Sequence, residues 1–87
     1  MSVTVELSYD MSKAFGERRI ALESPANVKA ALAEVEAHFN TAGADFKSLS
    51  RVTAIAINGV LVNHRRGMKT ALADGDVVAF VKAASGG

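Results

Sequence analysis

The stretch Asp74-Gly75-Asp76-Val77-Val78-Ala79-Phe80-Val81 decides the fold of this chain. Its Asp-Gly-Asp sequence is typical of a turn, and the apolar run that follows has the composition of a buried strand. Because both faces of that strand are apolar, we predict that it lies in the middle of a sheet. Val78 and Phe80 are expected to face a helix, since alternate residues of a strand share a face. The other face of the sheet would then carry Val77, Ala79 and Val81.

The first residues of the chain predict a strand with one buried face. Apolar residues alternate there with polar ones, at Val3, Val5, Leu7 and Tyr9. A connection over 10–16, with one helical turn at 12–15 ended by Gly16, leads to a second extended segment at 18–23. We expect these two segments to pair as an antiparallel hairpin.

A helix is the most strongly indicated element of the chain. Ser24-Pro25 predicts its start, because Ser caps free backbone N–H groups and Pro at the first helical position loses no hydrogen bond. Residues 40–43 are expected to end it. Apolar residues at spacings of four and three place one stripe on this helix, consisting of Val28, Leu32, Val35 and Phe39.

The segment 44–51 is polar, and we predict irregular structure there, anchored to the core by Phe46 and Leu49. Residues 53–57 form a third strand. Asn58-Gly59 is the strongest short hairpin signal, because both residue types tolerate a positive φ.

The remaining segments complete the predicted sheet. A short fourth strand at 60–62 follows the Asn58-Gly59 turn, and a loop at 63–73 leads to the last strand. A parallel pairing of the last strand with the first needs a long crossover, which the helix supplies. We therefore predict an α+β structure with a β-grasp, or ubiquitin-like, fold, in which a mixed sheet of about five strands packs on one main helix. Residues 1–81 form the domain and 82–87 a flexible C-terminal diglycine tail.

Composition excludes several classes of function. With 10 Lys and Arg against 9 Asp and Glu, the net charge of +1 argues against binding nucleic acid. The 87 residues contain no cysteine, so any sulfur that this protein handles must come from another molecule. No apolar run is long enough to span a membrane, and the N-terminus lacks a signal peptide, so we expect a cytoplasmic protein. His38 and His64 stand alone, and we predict no metal site.

The last residues, Gly86 and Gly87, follow a short polar run that has nothing large enough to pack. Gly-Gly has the greatest backbone freedom and no Cβ to obstruct close approach. A tail of this kind, leaving a core strand directly, could be threaded into the cleft of another protein. The carboxylate of Gly87 would then be the one unusual chemical group of the chain.

At this point the chain resembles the MoaD- and ThiS-like sulfur-carrier family. The resemblance rests on the order of the elements, on 56–59 (Ala-Ile-Asn-Gly), on 72–80 and on the terminal Gly86-Gly87, and it covers essentially the whole chain. Within the family, the chain is most similar to the small subunit of molybdopterin synthase. The sulfur carrier of the thiamine pathway is similar but typically shorter.

The resemblance implies a function for the tail. The Gly87 carboxylate would be adenylated, with ATP, by an adenylyltransferase that resembles the ubiquitin-activating enzyme. A sulfurtransferase or another persulfide donor would then convert it to a thiocarboxylate, and the tail would enter the large subunit of molybdopterin synthase through a channel that Gly86 fits. The chain itself would bind no cofactor and would not be an enzyme on its own. Contacts with partners are expected from Val77, Ala79, Val81, Lys82, Arg65, Arg66, Lys69 and Ser85.

Three other functions fit the same residues. The chain could carry sulfur for thiamine or for another sulfur-requiring pathway. It could be a ubiquitin-like modifier whose Gly87 forms isopeptide bonds with lysines. It could also be a β-grasp interaction module with an unreactive C-terminus.

Overall fold

The elements of the fold follow one another in the order expected for a hairpin, a helix and three further strands. A computed structural model describes residues 2–62 and 67–82. Their strands and helices are β1 (Ser2–Glu6), α1 (Tyr9–Phe15), β2 (Arg19–Glu23), α2 (Val28–Ala42), α3 (Phe46–Ser50), β3 (Thr53–Ile57), β4 (Val60–Leu61) and β5 (Val77–Lys82).

The last strand lies in the middle of the sheet, as its two apolar faces predict. The five strands are ordered β2-β1-β5-β3-β4. Strand β5 runs parallel to β1, with Val78 beside Val5, and antiparallel to β3, with Phe80 beside Ile55. Strands β1 and β2 form the predicted antiparallel hairpin. This arrangement confirms the predicted β-grasp fold, and Lys82 is the last residue of the central strand β5.

The core lies between one face of the sheet and α2. Val78 is fully buried and Phe80 is 3% exposed, so both face the helix as predicted. The buried stripe of α2 consists of Val28, Ala31, Val35 and Phe39. Leu32, which the sequence placed in this stripe, is only partly buried at its edge.

The predicted start of the long helix is wrong. The helix begins at Val28, and its N-cap is Asn27, whose side chain accepts a hydrogen bond from the Ala30 N–H at 2.9 Å. Ser24 has a φ of 49° and precedes the helix by several residues. Asn and Ser cap helices about equally well, so residue type does not separate the two candidates. Backbone conformation does, because an N-cap residue is typically extended, as Asn27 is, whereas Ser24 has a positive φ.

Two further local predictions are corrected. Tyr9 does not extend β1 but begins α1, and its side chain is 73% exposed, because Ser8 caps that helix by accepting a hydrogen bond from the Met11 N–H. The segment predicted to be irregular contains α3, which Asp45 caps through the Ser48 N–H. Phe46 is nonetheless buried, as predicted for an anchor.

Candidate functional site

The turn before β5 is held by its two aspartates. Gly75 has a φ of 86°, which the Asp-Gly-Asp sequence accommodates. Asp76 accepts a hydrogen bond from the Ala73 N–H at 2.8 Å, and Asp74 accepts one from the Ser2 N–H at 2.7 Å. The structure thus confirms that these carboxylates form the turn. The hydrogen bond from Ala73, followed by one from the Asn58 side chain, holds the pKa of Asp76 below its usual value.

The turn between β3 and β4 is joined to the start of β5. Asn58 and Gly59 both have positive φ, 50° and 83°, as the hairpin signal predicts. The Asn58 side chain accepts a hydrogen bond from the Val77 N–H at 2.9 Å, and its own N–H donates to the Val77 carbonyl at 2.8 Å. One asparagine therefore fixes the register at one end of the strand that leads to the tail.

The face of the sheet opposite α2 is open and largely apolar. Val77 and Ala79 are half-buried there and Val81 is 41% exposed, as the sequence predicts for the outer face of β5. Strand β3 adds two small residues, because Ala54 pairs with Val81 and Ala56 with Ala79. A shallow groove results, which we call the open-face groove; its lining includes Ala54, Ala56, Leu61, Val77, Ala79 and Val81.

One border of this groove is charged. Glu6 lies beside Ala79 in the parallel pairing and also lines the groove. It forms an ion pair with Arg19 of β2, with 3.3 Å between Nε and Oε2. A partner that covers the apolar part of the face therefore meets a paired carboxylate and guanidinium beside it, which favours a polar rim in the partner.

The open-face groove adjoins the end of β5. Lys82 is the last residue of that strand, pairs with Thr53, is exposed, and lines the groove. A protein docked on the groove therefore lies next to the point where residues 83–87 begin. The predicted boundary between domain and tail at residues 81 and 82 stays a prediction.

The structure brings only some of the predicted partner-binding residues together. Val77, Ala79, Val81 and Lys82 share the open-face groove. Lys69 lies elsewhere, beside α2, so it does not join them. The remaining predicted residues lie outside the described part of the chain, and these are Arg65, Arg66, Ser85, Gly86 and Gly87.

Sequence reasoning missed half of the open-face groove. Ala54, Ala56 and Leu61 were not singled out, although the alternation Thr-Ala-Ile-Ala-Ile over 53–57 separates large residues from small ones. The hairpin register then places Leu61 beside Ala56. Following the period of two through β3 would have found the two alanines, and the register of the β3–β4 hairpin would then have found Leu61.

Other site types find no support in residues 2–62 and 67–82. No group of three or more His, Asp or Glu side chains within this part could hold a metal ion. None of the helices described there is long and apolar enough to cross a membrane. His38 is exposed and meets the edge of Phe15, with 6.4 Å between ring centroids.

Comparison with known families gives a match over nearly the whole chain. The model of the ThiS family matches residues 8–87, which include Gly86 and Gly87. A comparison with curated proteins finds no match.

Several solved structures share the fold. The small archaeal modifier protein 1 (SAMP1) from Methanosarcina acetivorans is 26% identical, with a TM-score of 0.74 over 99% of this chain and 96% of that one. A chain in the complex of subunits 1 and 2 of molybdopterin-converting factor from Helicobacter pylori is 25% identical, with a TM-score of 0.67 and full coverage of both chains. The BexX/CysO complex from Amycolatopsis orientalis gives 22% identity and a TM-score of 0.70, over 98% of this chain and 99% of that one, and shows the fold alone.

Proposed function

We propose that this chain, which belongs to the ThiS family of ubiquitin-like sulfur carriers, carries sulfur as a thiocarboxylate on Gly87. The observation that carries this proposal is the family match, which runs through Gly86 and Gly87. The position of β5 supports it, because residues 83–87 directly follow Lys82, the last residue of that strand. The proposal requires that Gly87 be the C-terminal residue of the protein in the cell.

The chemistry needs an activated carboxyl group. A carboxylate is a poor electrophile, so its oxygen first attacks the α-phosphate of ATP, which forms an acyl-adenylate and releases pyrophosphate. A persulfide sulfur then attacks the carbonyl carbon and AMP leaves. A second thiol attacks the partner's sulfur in the resulting S–S bond, forms a disulfide with that sulfur and releases the thiocarboxylate. The chain has no cysteine, so partners supply the persulfide, the second thiol and the adenylating site.

The folded domain serves this chemistry by docking. The five residues 83–87 reach at most about 18 Å when extended. A partner must therefore hold its active site within that distance of Lys82, and the open-face groove beside Lys82 offers a contact surface there. Exposed apolar surface of this kind is typical of protein interaction sites. The partners we propose are an adenylyltransferase related to the ubiquitin-activating enzyme and a persulfide-bearing sulfurtransferase.

For the pathway, we propose molybdopterin synthesis, with this chain as the small subunit of the synthase. The likeness to a chain of the molybdopterin-converting factor complex, at full coverage, supports this choice. In that complex two subunits are associated, and the corresponding partner here would be the large subunit of molybdopterin synthase. Sulfur delivery to the thiamine pathway or to another pathway is the alternative within the same chemistry.

A second candidate function is protein modification. The similarity to SAMP1, a small archaeal modifier protein, favours it. Both functions begin with an adenylated Gly87 but differ in the attacking atom, which is sulfur for a carrier and a lysine nitrogen for a modifier.

Intact mass spectrometry of the protein purified from its own cells tests the proposal. A carrier shows a fraction whose mass gain equals the exchange of one oxygen for one sulfur, and an alkylating reagent raises the mass of that fraction further by one alkyl group on the thiocarboxylate sulfur. Gly-Gly remnants on lysines of other proteins, without any sulfur-bearing fraction, would replace the carrier with the modifier. A chain that ends beyond Gly87, or one unchanged in both assays, would refute both functions.

A further inference from the structure

A second apolar groove lies on the other side of the sheet, along α2. We call it the helix groove; its lining residues are Lys29, Leu32, Ala33, Glu36, Phe46, Met68 and Lys69. It shares none of these residues with the open-face groove. The two grooves therefore offer separate contact surfaces.

Helix α2 contributes a second stripe of residues to this groove. Lys29, Leu32 and Glu36 recur at spacings of three and four, so they share one face of the helix, next to the buried stripe. Leu32 and Met68 are only partly buried and pack against the core from this side. Ala33 is exposed and leaves the middle of the groove open.

Two lysines are held at one end of the groove. The Lys29 N–H donates a hydrogen bond to the Met68 carbonyl at 2.9 Å, and the Val28 N–H donates to the Thr70 carbonyl at 3.1 Å. These bonds fix residues 68–70 against the first turn of α2, which places Lys69 beside Lys29. Both lysines are exposed, and within the described residues neither forms an ion pair.

The other end of the groove carries the opposite charge. Glu36 lies seven residues after Lys29, which corresponds to about 10 Å along the helix axis. Within the described residues Glu36 also lacks an ion pair. The groove thus has an apolar centre of about two helical turns between a doubly positive end and a negative end.

We propose that the helix groove binds an amphipathic helix of a partner protein that carries a carboxylate next to its apolar stripe. Two turns of such a helix match the length of the apolar centre, and this mode of recognition uses apolar anchors at helical spacing. The carboxylate meets Lys29 and Lys69, while Glu36 excludes an acidic residue at the far end and accepts a basic one. Charge complementarity selects this partner over a purely apolar one.

A peptide titration followed by NMR tests the proposal. The probe is a synthetic amphipathic helix with a Leu stripe, one Glu at one end and one Lys two turns away, and its twin has Gln in place of Glu. The Glu peptide should shift the amide signals of residues lining the helix groove, and it should bind about tenfold more tightly than the Gln twin, given two surface charge pairs. In the double variant Lys29→Gln/Lys69→Gln, the two peptides should bind equally.

Matched variants of α2 separate the groove from the rest of the helix. Ala33→Glu places a charge in the open centre and should abolish binding, whereas His38→Glu, at an exposed position with no three- or four-residue spacing to the groove residues of α2, should leave binding unchanged. Amide spectra of both variants verify that they fold. Equal affinity for the Glu and Gln peptides in the unmodified chain, shifts confined to the open-face groove, or no binding at millimolar peptide would overturn the proposal.

The same spectra identify other occupants. Groove signals that move with protein concentration alone would assign the groove to a second copy of this chain. Groove signals that move when residues 83–87 are removed would assign it to the chain's own C-terminus. Either result would overturn the proposal, and neither depends on thiocarboxylate formation, so the outcome is independent of the proposed carrier function.

Discussion

The side chain of Asn58 donates a hydrogen bond from Nδ2 to Oδ1 of Asp76 at 3.0 Å, across eighteen positions of sequence. This bond joins the β3–β4 turn to the turn that starts β5. Asp76 uses its other oxygen for the Ala73 N–H, and Asn58 uses its carbonyl for the Val77 N–H. Two turns that the sequence indicated separately thus form one connected unit at one end of the central strand.

The first prediction concerns acid stability. Since hydrogen bonds hold the pKa of Asp76 below its usual value, its carboxylate stabilises the fold fully above about pH 4 and loses this effect as the pH falls through the folded-state pKa. Asp76→Asn removes this titration and presents amide hydrogens to Asn58. We expect the variant to be less stable at pH 7, with a difference that shrinks in acid, as measured by urea unfolding.

The Asp45 carboxylate gives an internal comparison. Hydrogen bonds from Ser48 lower its pKa as well, so Asp76→Asn should retain part of the acid sensitivity. The double variant Asp76→Asn/Asp45→Asn should lose more of the acid sensitivity than Asp76→Asn alone. A stability difference for Asp76→Asn that stays constant from neutral pH into acid would contradict the assigned role.

The second prediction tests the observed start of α2. Asn27→Ala removes the acceptor for the Ala30 N–H and should lower the free energy of unfolding by about 1 kcal/mol. Asn27→Ser keeps an acceptor in the same place and should retain most of the stability. Chemical unfolding of both variants measures this, and equal losses for Ala and Ser would argue against capping by residue 27.

Most of the fold could be predicted because its signals are local and strong. The apolar run 77–81, the turn Asn58-Gly59 and the stripe of α2 each have one structural interpretation, and together they leave a single way to bury the helix. The errors fall where two local signals compete. Ser24-Pro25 and Asn27 are both valid helix starts, and Ser8 caps α1 inside an alternating pattern that continues in the sequence to Tyr9.

The candidate site could be predicted only in part. The outer face of β5 follows from the period of two, so Val77, Ala79 and Val81 were found. The alanines of β3 follow the same period of two, but only the pairing of β3 with β5 shows that they border the outer face of β5. Lys69 lies away from the open-face groove because residues 68–70 are hydrogen-bonded to the first turn of α2. Sequence spacing does not predict this tertiary contact.

The third prediction concerns the aromatic cluster of the core. Phe39 is fully buried, stacks on Phe15 with 4.9 Å between centroids, and meets the edge of Phe46 at 5.4 Å. Phe39→Ala should cost about 3–5 kcal/mol, a large share of the stability of a small domain. Tyr9→Ala, which removes an exposed ring, should cost less than about 1 kcal/mol. Thermal or urea unfolding measures the stability of both variants. Similar losses of stability would contradict the assignment of Phe39 to the core.

The fourth prediction concerns docking through the open-face groove. Val81→Asp places a charge in the groove and should weaken binding to the proposed adenylyltransferase by about tenfold or more, because a carboxylate would be buried in an apolar contact. Val60→Asp is the matched control, since Val60 is 67% exposed and pairs with Ile57 rather than with a groove residue. Calorimetric titration measures both affinities. Equal affinities for the two variants would place the docking surface elsewhere.

The last prediction concerns the diglycine. In the proposed mechanism the carboxylate of Gly87 must reach a buried adenylating site, and an added isopropyl group would demand a wider channel that also admits water to the acyl-adenylate. Gly86→Val should therefore leave the unfolding transition unchanged and abolish thiocarboxylate formation in a reconstituted reaction with ATP, the adenylyltransferase and a persulfide donor. Ala37→Val places the same side chain at an exposed position of α2 and should be thiolated normally. If Gly86→Val gains sulfur as fast as the unmodified chain, as measured by intact mass over time, then passage through a narrow channel is not how this carboxylate is activated.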